Sequence, residues 1–265
     1  MRMLRMSACV ISDAALLPIR GKTCVSIVAG HCCRCLALDS AFCRMAKKAA
    51  KASRKLTLDD MVAAGFVPSL ARPGSNITGV SILAPELDGK RLDILIELAP
   101  NARRIALLAD PNSTASSRLQ ALRDSAQARG VELLIHMVDV PERIVPAIDE
   151  AKRMGATALN VLASPMLHVW RGDIIERAAA VRLPAIYQWV ESAEEGGLVG
   201  YGPRQPQLYR QMARQLAKVL RGAKPGDLPV EQPTGFELVI NLKTAKEIGH
   251  EIPAGLVQRA NAVIE

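Results

Sequence analysis

The chain has 265 residues, of which 49% are hydrophobic, so it contains enough apolar material for a buried core and one or two globular domains. Its formal charge of +8 arises in residues 1–56, where eleven Lys or Arg face two acids, whereas the remainder carries 23 bases against 24 acids. A nearly neutral body lacks the basic footprint that binding to a phosphate backbone needs, and the sequence therefore predicts no nucleic-acid partner.

Residues 1–56 also contain every cysteine of the chain, all within the first 43 positions. The run from His31 to Cys35 could be read as a metal cluster, but it lacks the paired C-x2-C spacings that let four ligands surround zinc. We therefore expect no metal site. No strand pattern surrounds these cysteines, so a disulfide framework is no better supported.

A secretion signal is only weakly indicated at the start of the chain. Arg2 and Arg5 supply a basic start, but Asp13 interrupts the apolar run and no small-residue cleavage site follows. No stretch reaches the roughly 18 uncharged apolar residues of a membrane span. Residues 45–56 could form a basic helix, which we interpret as a solvated linker rather than a contact with lipid or nucleic acid.

From Ala71 onward, strand-like and helix-like segments alternate, separated by Gly, Pro, Asn and Ser. We predict strands at 77–82, 104–109, 131–138, 157–163, 185–187, 198–200 and 236–241. We predict helices at 85–99, 113–129, 141–154, 168–181, 189–195, 204–222, 243–248 and 253–264, with Ser113 or Thr114 capping the second and Gly249 ending the seventh. This alternation is typical of a doubly wound parallel α/β sheet with right-handed crossovers.

Motifs for catalysis are missing from the sequence. Neither a G-x-G-x-x-G run nor a Walker lysine loop follows any predicted strand, and H-E-x-x-H and G-x-S-x-G are also absent. Of the four histidines, only His168, near a strand end, is placed to face a cleft. We therefore expect no enzyme and no cofactor.

Polar and aromatic residues follow the predicted strands at their carboxyl ends, where open α/β sheets bind ligands. They are Asn112, Ser164, Tyr187, Trp189 and Tyr201. The rings could stack on a flat solute, and the Asn and Ser side chains, with free amides at helix starts, could bind a carboxylate. Alternatively, Asn and Ser are helix caps and the rings pack between the sheet and its helices.

Four segments resemble the bacterial ABC-transporter substrate-binding family of the type I periplasmic-binding-protein fold. They are Val62–Val80, Ser81–Leu95, Leu198–Gly202 and, most distinctively, Lys224–Lys243, and the resemblance covers residues 60–265. It implies two Rossmann-like lobes, joined by crossing strands, that close around a small organic solute. It also places residues 74–81 at the first crossing, which adds Thr78 and Ser81 to the candidate ligand-binding residues.

The resemblance implies a domain division in which the first lobe is incomplete. In the family, a secretion signal and most of the first lobe precede the segment that resembles 62–80. We therefore expect 1–56 to be a non-homologous, disordered segment and 57–82 a remnant of the first lobe. Residues 83–202 would form the second lobe, and 203–265 the return crossing and the end of the first lobe, with strand 236–241 short of sheet neighbours and solute affinity weakened.

The function implied by the resemblance is that of the solute-binding component of an ABC importer. Such a protein binds a small solute, here predicted to be amino-acid-like or aromatic, and its partners are the importer's membrane subunits. The family is periplasmic, but the weak signal leaves a cytoplasmic location open. Two alternatives remain: the ligand-sensing domain of a regulator, which would need a DNA-binding head, and a Rossmann-like enzyme, which would bind a cofactor.

Overall fold

The computed structural model describes residues 9–11, 14–19, 23–27, 62, 65, 67–74, 76–82 and 85–265. These residues fall into two compact units. The first contains the described residues up to 82 together with 208–233, and the second contains 85–207 and 234–265. We call them unit 1 and unit 2.

Unit 1 contains a four-stranded sheet in the order β1 (Cys9–Ile11), β2 (Ala14–Ile19), β3 (Thr23–Ile27) and β4 (Gly79–Val80). The first three strands form an antiparallel meander, and β4 pairs parallel with β3. Residues 1–56 were expected to be disordered, with no strand pattern around the cysteines, and β1–β3 differ from that expectation. These segments are short, but Leu, Ile and Val suit them to pleated pairing. The metal-like run at 31–35 and the basic run at 45–56 lie outside the described residues.

Backbone hydrogen bonds tie the two parts of unit 1 together. Ser81 N donates to Glu231 O at 2.8 Å, and Glu231 N donates to Gly79 O at 2.9 Å, so residue 231 lies beside β4. The Glu231 carboxylate accepts a hydrogen bond from Gln211 at 2.8 Å and another from Gln215. Both glutamines lie on α7 (Gln205–Leu220), which confirms the helix predicted at 204–222.

Unit 2 is built on a seven-stranded sheet in the order β11-β10-β9-β8-β7-β5-β6. Its strands are β5 (Arg104–Ala109), β6 (Glu132–Met137), β7 (Ala158–Val161), β8 (Ala185–Tyr187), β9 (Val199–Gly202), β10 (Glu237–Asn241) and β11 (Ala262–Ile264). The five strands from β5 to β9 run parallel, as predicted. Only β10 and β11, which are parallel to each other, run against β9.

The end of the chain differs from the predicted domain division. Residues 234–265 belong to unit 2, and β10 lies between β9 and β11, so the expected shortage of sheet neighbours does not arise. The predicted helix at 253–264 ends at Arg259. Asn261 then closes the turn to β11, since its Oδ1 accepts from Leu238 N and its backbone N donates to Leu238 O, both at 2.8 Å.

Helices cover both faces of this sheet. They are α1 (Pro85–Leu98), α2 (Ser116–Gln127), α3 (Ile144–Arg153), α4 (Pro165–Val169), α5 (Arg171–Ala180), α6 (Val190–Glu194), α8 (Leu242–Ile248) and α9 (Ala254–Arg259). The predicted helix at 168–181 is two helices that meet at Trp170, which has non-helical torsions. Helix α8 ends on Gly249 at φ +69°, as predicted.

Side chains of each parallel strand alternate between two buried cores. Ile105 and Leu107 pack with α1, α2, α8 and α9 on one face, whereas Ala106 and Leu108 pack with α3, α4 and α5 on the other. Because β5 is buried on both faces, its sequence is apolar throughout after Arg104. This two-sided covering leaves the ends of the strands as the part of the sheet where ligands can approach.

Candidate functional site

The carboxyl ends of β5, β7, β8 and β9 meet at one edge of the unit 2 sheet, because these strands run parallel. We call residues 110–113, 162–168, 188–191 and 202–205 the exit edge. All five unit 2 residues predicted from the sequence lie on it or directly beside it.

Asp110, the first residue after β5, organises one end of the exit edge. Its buried carboxylate accepts hydrogen bonds at Oδ2 from the hydroxyls of Ser164 (2.7 Å) and Ser113 (3.0 Å). Oδ1 accepts from the backbone N (2.8 Å) and the side-chain Nδ2 (3.1 Å) of Asn112. The structure thus brings Asn112 and Ser164 together, as the sequence predicted, through a carboxylate that the prediction did not include.

The hydroxyl groups of Ser113 and Ser164 are occupied by these intramolecular hydrogen bonds. Ser164 also caps α4, accepting from Leu167 N at 3.3 Å, so the helix-cap alternative holds for this residue. Ser113 does not cap α2 as predicted: the residue before that helix is Ala115, without a side-chain cap, because the Ser113 hydroxyl is drawn to Asp110. Asn112 remains exposed and is available to a ligand.

The predicted rings differ in exposure. Tyr187 is 3% exposed and packs in the core on the α3–α5 face, where burial raises the pKa of its phenol above the usual range. This position agrees with the packing alternative. Tyr201 is half-buried, and Trp189 is buried beside the His168 ring, with ring centroids 5.8 Å apart and planes tilted by 58°.

A second polar group joins the exits of β7, β8 and β9. It consists of His168, Trp189, Glu191 and Gln205, and we call it the His168 cluster. Gln205 Nε2 lies 3.2 Å from His168 Nε2, and Gln205 N donates to Glu191 Oε1 at 2.9 Å. His168 was considered from the sequence, but its partners lie far along the chain and became visible only in the fold.

The Glu191 carboxylate in this cluster is incompletely satisfied. Its Oε2 is buried and has no hydrogen-bond partner within the described part of the chain. Burial raises the pKa of Glu191, although hydrogen bonds to the carboxylate act in the opposite direction. Glu191 was not predicted from the sequence, because an acidic residue in a short helix gives no signal that it is partly buried.

Two arginines frame the His168 cluster with ion pairs. Arg171 binds Glu195 through two nitrogens, at 2.5 and 2.8 Å, and donates to His168 O at 3.0 Å. Arg204 bridges Glu194 and Glu237, each at 2.6 Å. Partly exposed pairs of this kind contribute about 0–1 kcal/mol each, so their main effect is to fix the loops.

A buried group of charges lies near the end of β9. Arg91 is 1% exposed; its Nε donates to Tyr201 O at 2.9 Å and its Nη1 to Asp88 at 3.0 Å. The same Asp88 binds Arg118 at the start of α2. Burial lowers the pKa of Arg91 to about 10, so the guanidinium stays charged at neutral pH. Two cations therefore share one carboxylate beside the exit edge.

Thr78 and Ser81 belong to unit 1. The Thr78 hydroxyl is buried and lies within hydrogen-bonding distance of two carbonyl oxygens, Leu228 O at 3.0 Å and Pro229 O at 3.2 Å. Ser81 is 6% exposed, and its backbone N is bound to residue 231. Both residues stabilise the crossing of the chain in this unit, and their ligand-binding role stays a prediction from the resemblance.

A cavity of about 570 Å³ lies between α8 and α9. It is lined by Leu242, Ala245, Ile252 and Val257, with Lys246 and His250 among its polar residues. His250 Nε2 is held 2.9 Å from Leu98 O at the end of α1. No residue predicted from the sequence to bind a ligand lines this cavity.

Two other features are absent from the described ranges. No helix there has the length and apolar character to cross a bilayer. Nor do three His, Cys, Asp or Glu residues of that part of the chain come together as metal ligands.

A parallel α/β sheet with polar clusters at its strand exits is the architecture of small-molecule-binding domains. The chain matches the family model of ABC transporter substrate binding proteins over residues 55–264, and it belongs to that family. The predicted family and the type I periplasmic-binding-protein fold are therefore confirmed.

Individual relatives agree with this assignment. The tyrosine-binding protein of Clostridioides difficile (strain R20291) is 27% identical over 192 residues, which are 71% of this chain and 54% of the relative. The chain thus spans about half the length of that curated relative.

Two examples of solved structures are similar to this chain. A conserved domain protein from Vibrio cholerae O1 biovar El Tor has a TM-score of 0.71 and 26% identity, covering 79% of this chain and 70% of its own. An ABC domain from Streptococcus pneumoniae in complex with L-tryptophan has a TM-score of 0.69 and 25% identity, covering 78% and 69%.

Proposed function

We propose that this protein is the solute-binding component of an ABC importer and that it binds an amino-acid-like, aromatic solute at the exit edge without altering it chemically. The observation that carries the proposal is the convergence of His168, Glu191 and Gln205 from the exits of three successive strands, beside the Trp189 ring. Family membership supports the transport role, and the names of two relatives, which refer to tyrosine and L-tryptophan, support the solute class.

The polar groups of the exit edge suit recognition better than catalysis. The Asp110 carboxylate accepts four hydrogen bonds from Asn112, Ser113 and Ser164, so both serine hydroxyls are engaged in holding the loops. Such a frame holds the loops in place before a ligand arrives, which reduces the entropic cost of binding. Within it, the exposed Asn112 and half-buried Tyr201 are the predicted residues that a solute contacts most easily.

The partners and location follow from the family. Substrate-binding proteins of ABC transporters deliver their solute to membrane subunits, and family members are typically extracellular or periplasmic. We propose the same partners and the same location for this protein. Trp189 completes the proposed set at the exit edge, whereas Tyr187 packs in the core and the Ser164 hydroxyl is bound to Asp110. The ligand-binding roles of Thr78 and Ser81, in unit 1, stay predictions from the resemblance.

Isothermal titration calorimetry of the full chain with L-tryptophan and L-tyrosine tests the proposal, with L-alanine as the control that lacks an aromatic ring. We expect saturable binding of one aromatic amino acid per chain and recovery of the unaltered solute, as judged by mass spectrometry. If neither aromatic amino acid binds, or if either is converted to a product, the proposal is wrong.

A further inference from the structure

Glu191 stands out among the carboxylates of the exit edge because half of its hydrogen-bonding capacity is unused. Oε1 accepts from Gln205 N at 2.9 Å, but Oε2, although buried, has no partner among the described residues. Native proteins leave few buried polar atoms unpaired, and such an atom calls for an explanation. A ligand that donates a hydrogen bond to Oε2 is one such explanation.

Two arginines attract the Glu191 carboxylate electrostatically, but they form hydrogen bonds with other carboxylates. Arg204 is held by Glu194 and Glu237 at 2.6 Å each, and Arg171 is held by Glu195. On the side of α4, Gln205 lies between His168 and the Glu191 carboxylate. No described cation donates a hydrogen bond to Oε2, so this oxygen is able to accept one from a positively charged group of a ligand.

Aromatic rings belong to the same cluster as this acceptor. Trp189 precedes Glu191 by two residues and contacts the His168 ring, whose Nε2 shares Gln205 with the carboxylate. Aromatic faces attract cations electrostatically and also pack against apolar groups. The surroundings of Oε2 therefore match a small molecule that carries an ammonium group on an apolar or aromatic body.

We infer that Glu191 Oε2 accepts a hydrogen bond from the ammonium group of the bound solute, which makes Glu191 the residue that distinguishes amino acids from the corresponding deaminated acids. This inference rests on the proposed function and assigns one of its contacts. A charge-assisted bond in a desolvated site is short and strong. A solute without the ammonium group leaves the carboxylate unpaired, and a site built around a polar contact rejects such an analogue.

The test is calorimetric and uses two ligands against two variants. The ligands are L-tryptophan and indole-3-propionate, which has the same ring and carboxylate but no ammonium group. The variants are Glu191→Gln, whose amide oxygen can still accept from Gln205 N, and Glu176→Gln, which removes the same charge from an exposed position on α5, outside the exit edge. Circular dichroism and thermal melting check that both variants are folded.

We expect Glu191→Gln to weaken binding of L-tryptophan by about 10- to 150-fold, the range for the loss of a hydrogen bond to a charged group. Indole-3-propionate should bind Glu191→Gln at least as well as it binds the unmodified protein. Glu176→Gln should change either affinity by less than about threefold, because an exposed charge contributes little. The two ligands and the two forms of the protein, unmodified and Glu191→Gln, make a thermodynamic cycle. The difference between the two effects of the substitution gives the coupling energy between the Glu191 charge and the ligand ammonium group.

The possible failures are distinguishable. If Glu191→Gln weakens both ligands equally, Glu191 has a structural role and the inference is wrong, while the proposed function stands. If the unmodified protein binds both ligands with equal affinity, the inference is wrong. This comparison needs no variant, so the inference can be tested even if Glu191→Gln does not fold. If the unmodified protein binds neither aromatic amino acid, both the inference and the proposed function are wrong.

Discussion

Replacing Asp88 with Asn tests the buried charges that lie beside the exit edge. In the native protein, the Asp88 carboxylate is 1% exposed and binds Arg91 and Arg118 at once. Asn has nearly the same volume, so the change removes charge without creating a cavity. Two guanidinium groups then remain buried near each other without a compensating negative charge, because the Asn amide oxygen and the Tyr201 carbonyl oxygen can accept hydrogen bonds but are neutral.

Breaking a buried ion pair by removing one partner costs about 3–5 kcal/mol, because the remaining charge is left uncompensated. We expect Asp88→Asn to lower the free energy of unfolding by this amount, which corresponds to roughly a thousandfold change in the ratio of folded to unfolded protein. The matched control is Asp93→Asn on the same helix. Asp93 pairs with Arg129 at 2.7 Å, but both side chains are about 40% exposed, so the cost should stay below about 1 kcal/mol.

Urea denaturation followed by tryptophan fluorescence measures this difference in the relevant part of the chain. Both tryptophans of the sequence, Trp170 and Trp189, lie in unit 2, which also contains Asp88. The midpoint should shift while the slope stays constant, since the exposed surface on unfolding is unchanged. Equal midpoints for Asp88→Asn and Asp93→Asn would refute the argument that one buried carboxylate compensates two cations.

Three further outcomes are expected. Burial raises the pKa of Glu191 in the folded state. The stability contributed by protonated Glu191 is therefore present below its unfolded pKa and is lost as the pH rises through its folded pKa. At neutral pH, Glu191→Gln should consequently melt at a higher temperature than the unmodified apo protein. Ser164→Ala removes a helix cap and a buried hydrogen bond, and urea titration should show a loss of about 1–2 kcal/mol, against less than about 0.5 kcal/mol for the exposed Ser117→Ala. Gly202→Ala places a Cβ well inside contact distance of a backbone carbonyl oxygen, and urea titration should show a decrease of at least about 1–3 kcal/mol in the free energy of unfolding. Gly172→Ala, in open space within α5, should raise the free energy of unfolding by about 0.5–1 kcal/mol.

The parallel part of the sheet was predictable because its strands are buried on both faces. Residues 104–109 read as a continuous apolar run, and turn formers mark where each such run ends. The last two strands were harder to place. The segment Ala262–Ile264 is too short to show a period, and nothing local reveals that β10 pairs with β9 rather than with a strand of unit 1. Strand pairing across a long separation in sequence is decided by packing, not by propensity.

The candidate site was predictable only in part, for a related reason. Asn112 and Ser164 follow buried strands and are turn and cap formers, so their position at the exit edge could be inferred. Charged residues give no such signal, since sequence patterns place them in solvent. Asp88 and Arg91 lie on the buried face of α1, three residues apart. Their partners there, the Arg118 side chain and the Tyr201 carbonyl oxygen, lie far along the chain.

The exit edge contains two carboxylates with buried oxygens, and their hydrogen bonding separates their functions. Asp110 accepts four hydrogen bonds, from two hydroxyls and from one Asn, so an incoming ammonium group would have to displace an existing donor. Glu191 accepts at one oxygen and leaves the other unpaired, so the same ammonium group would satisfy an acceptor at no such cost. Asp110 is therefore the residue that fixes the loops, and selection of the solute falls to Glu191.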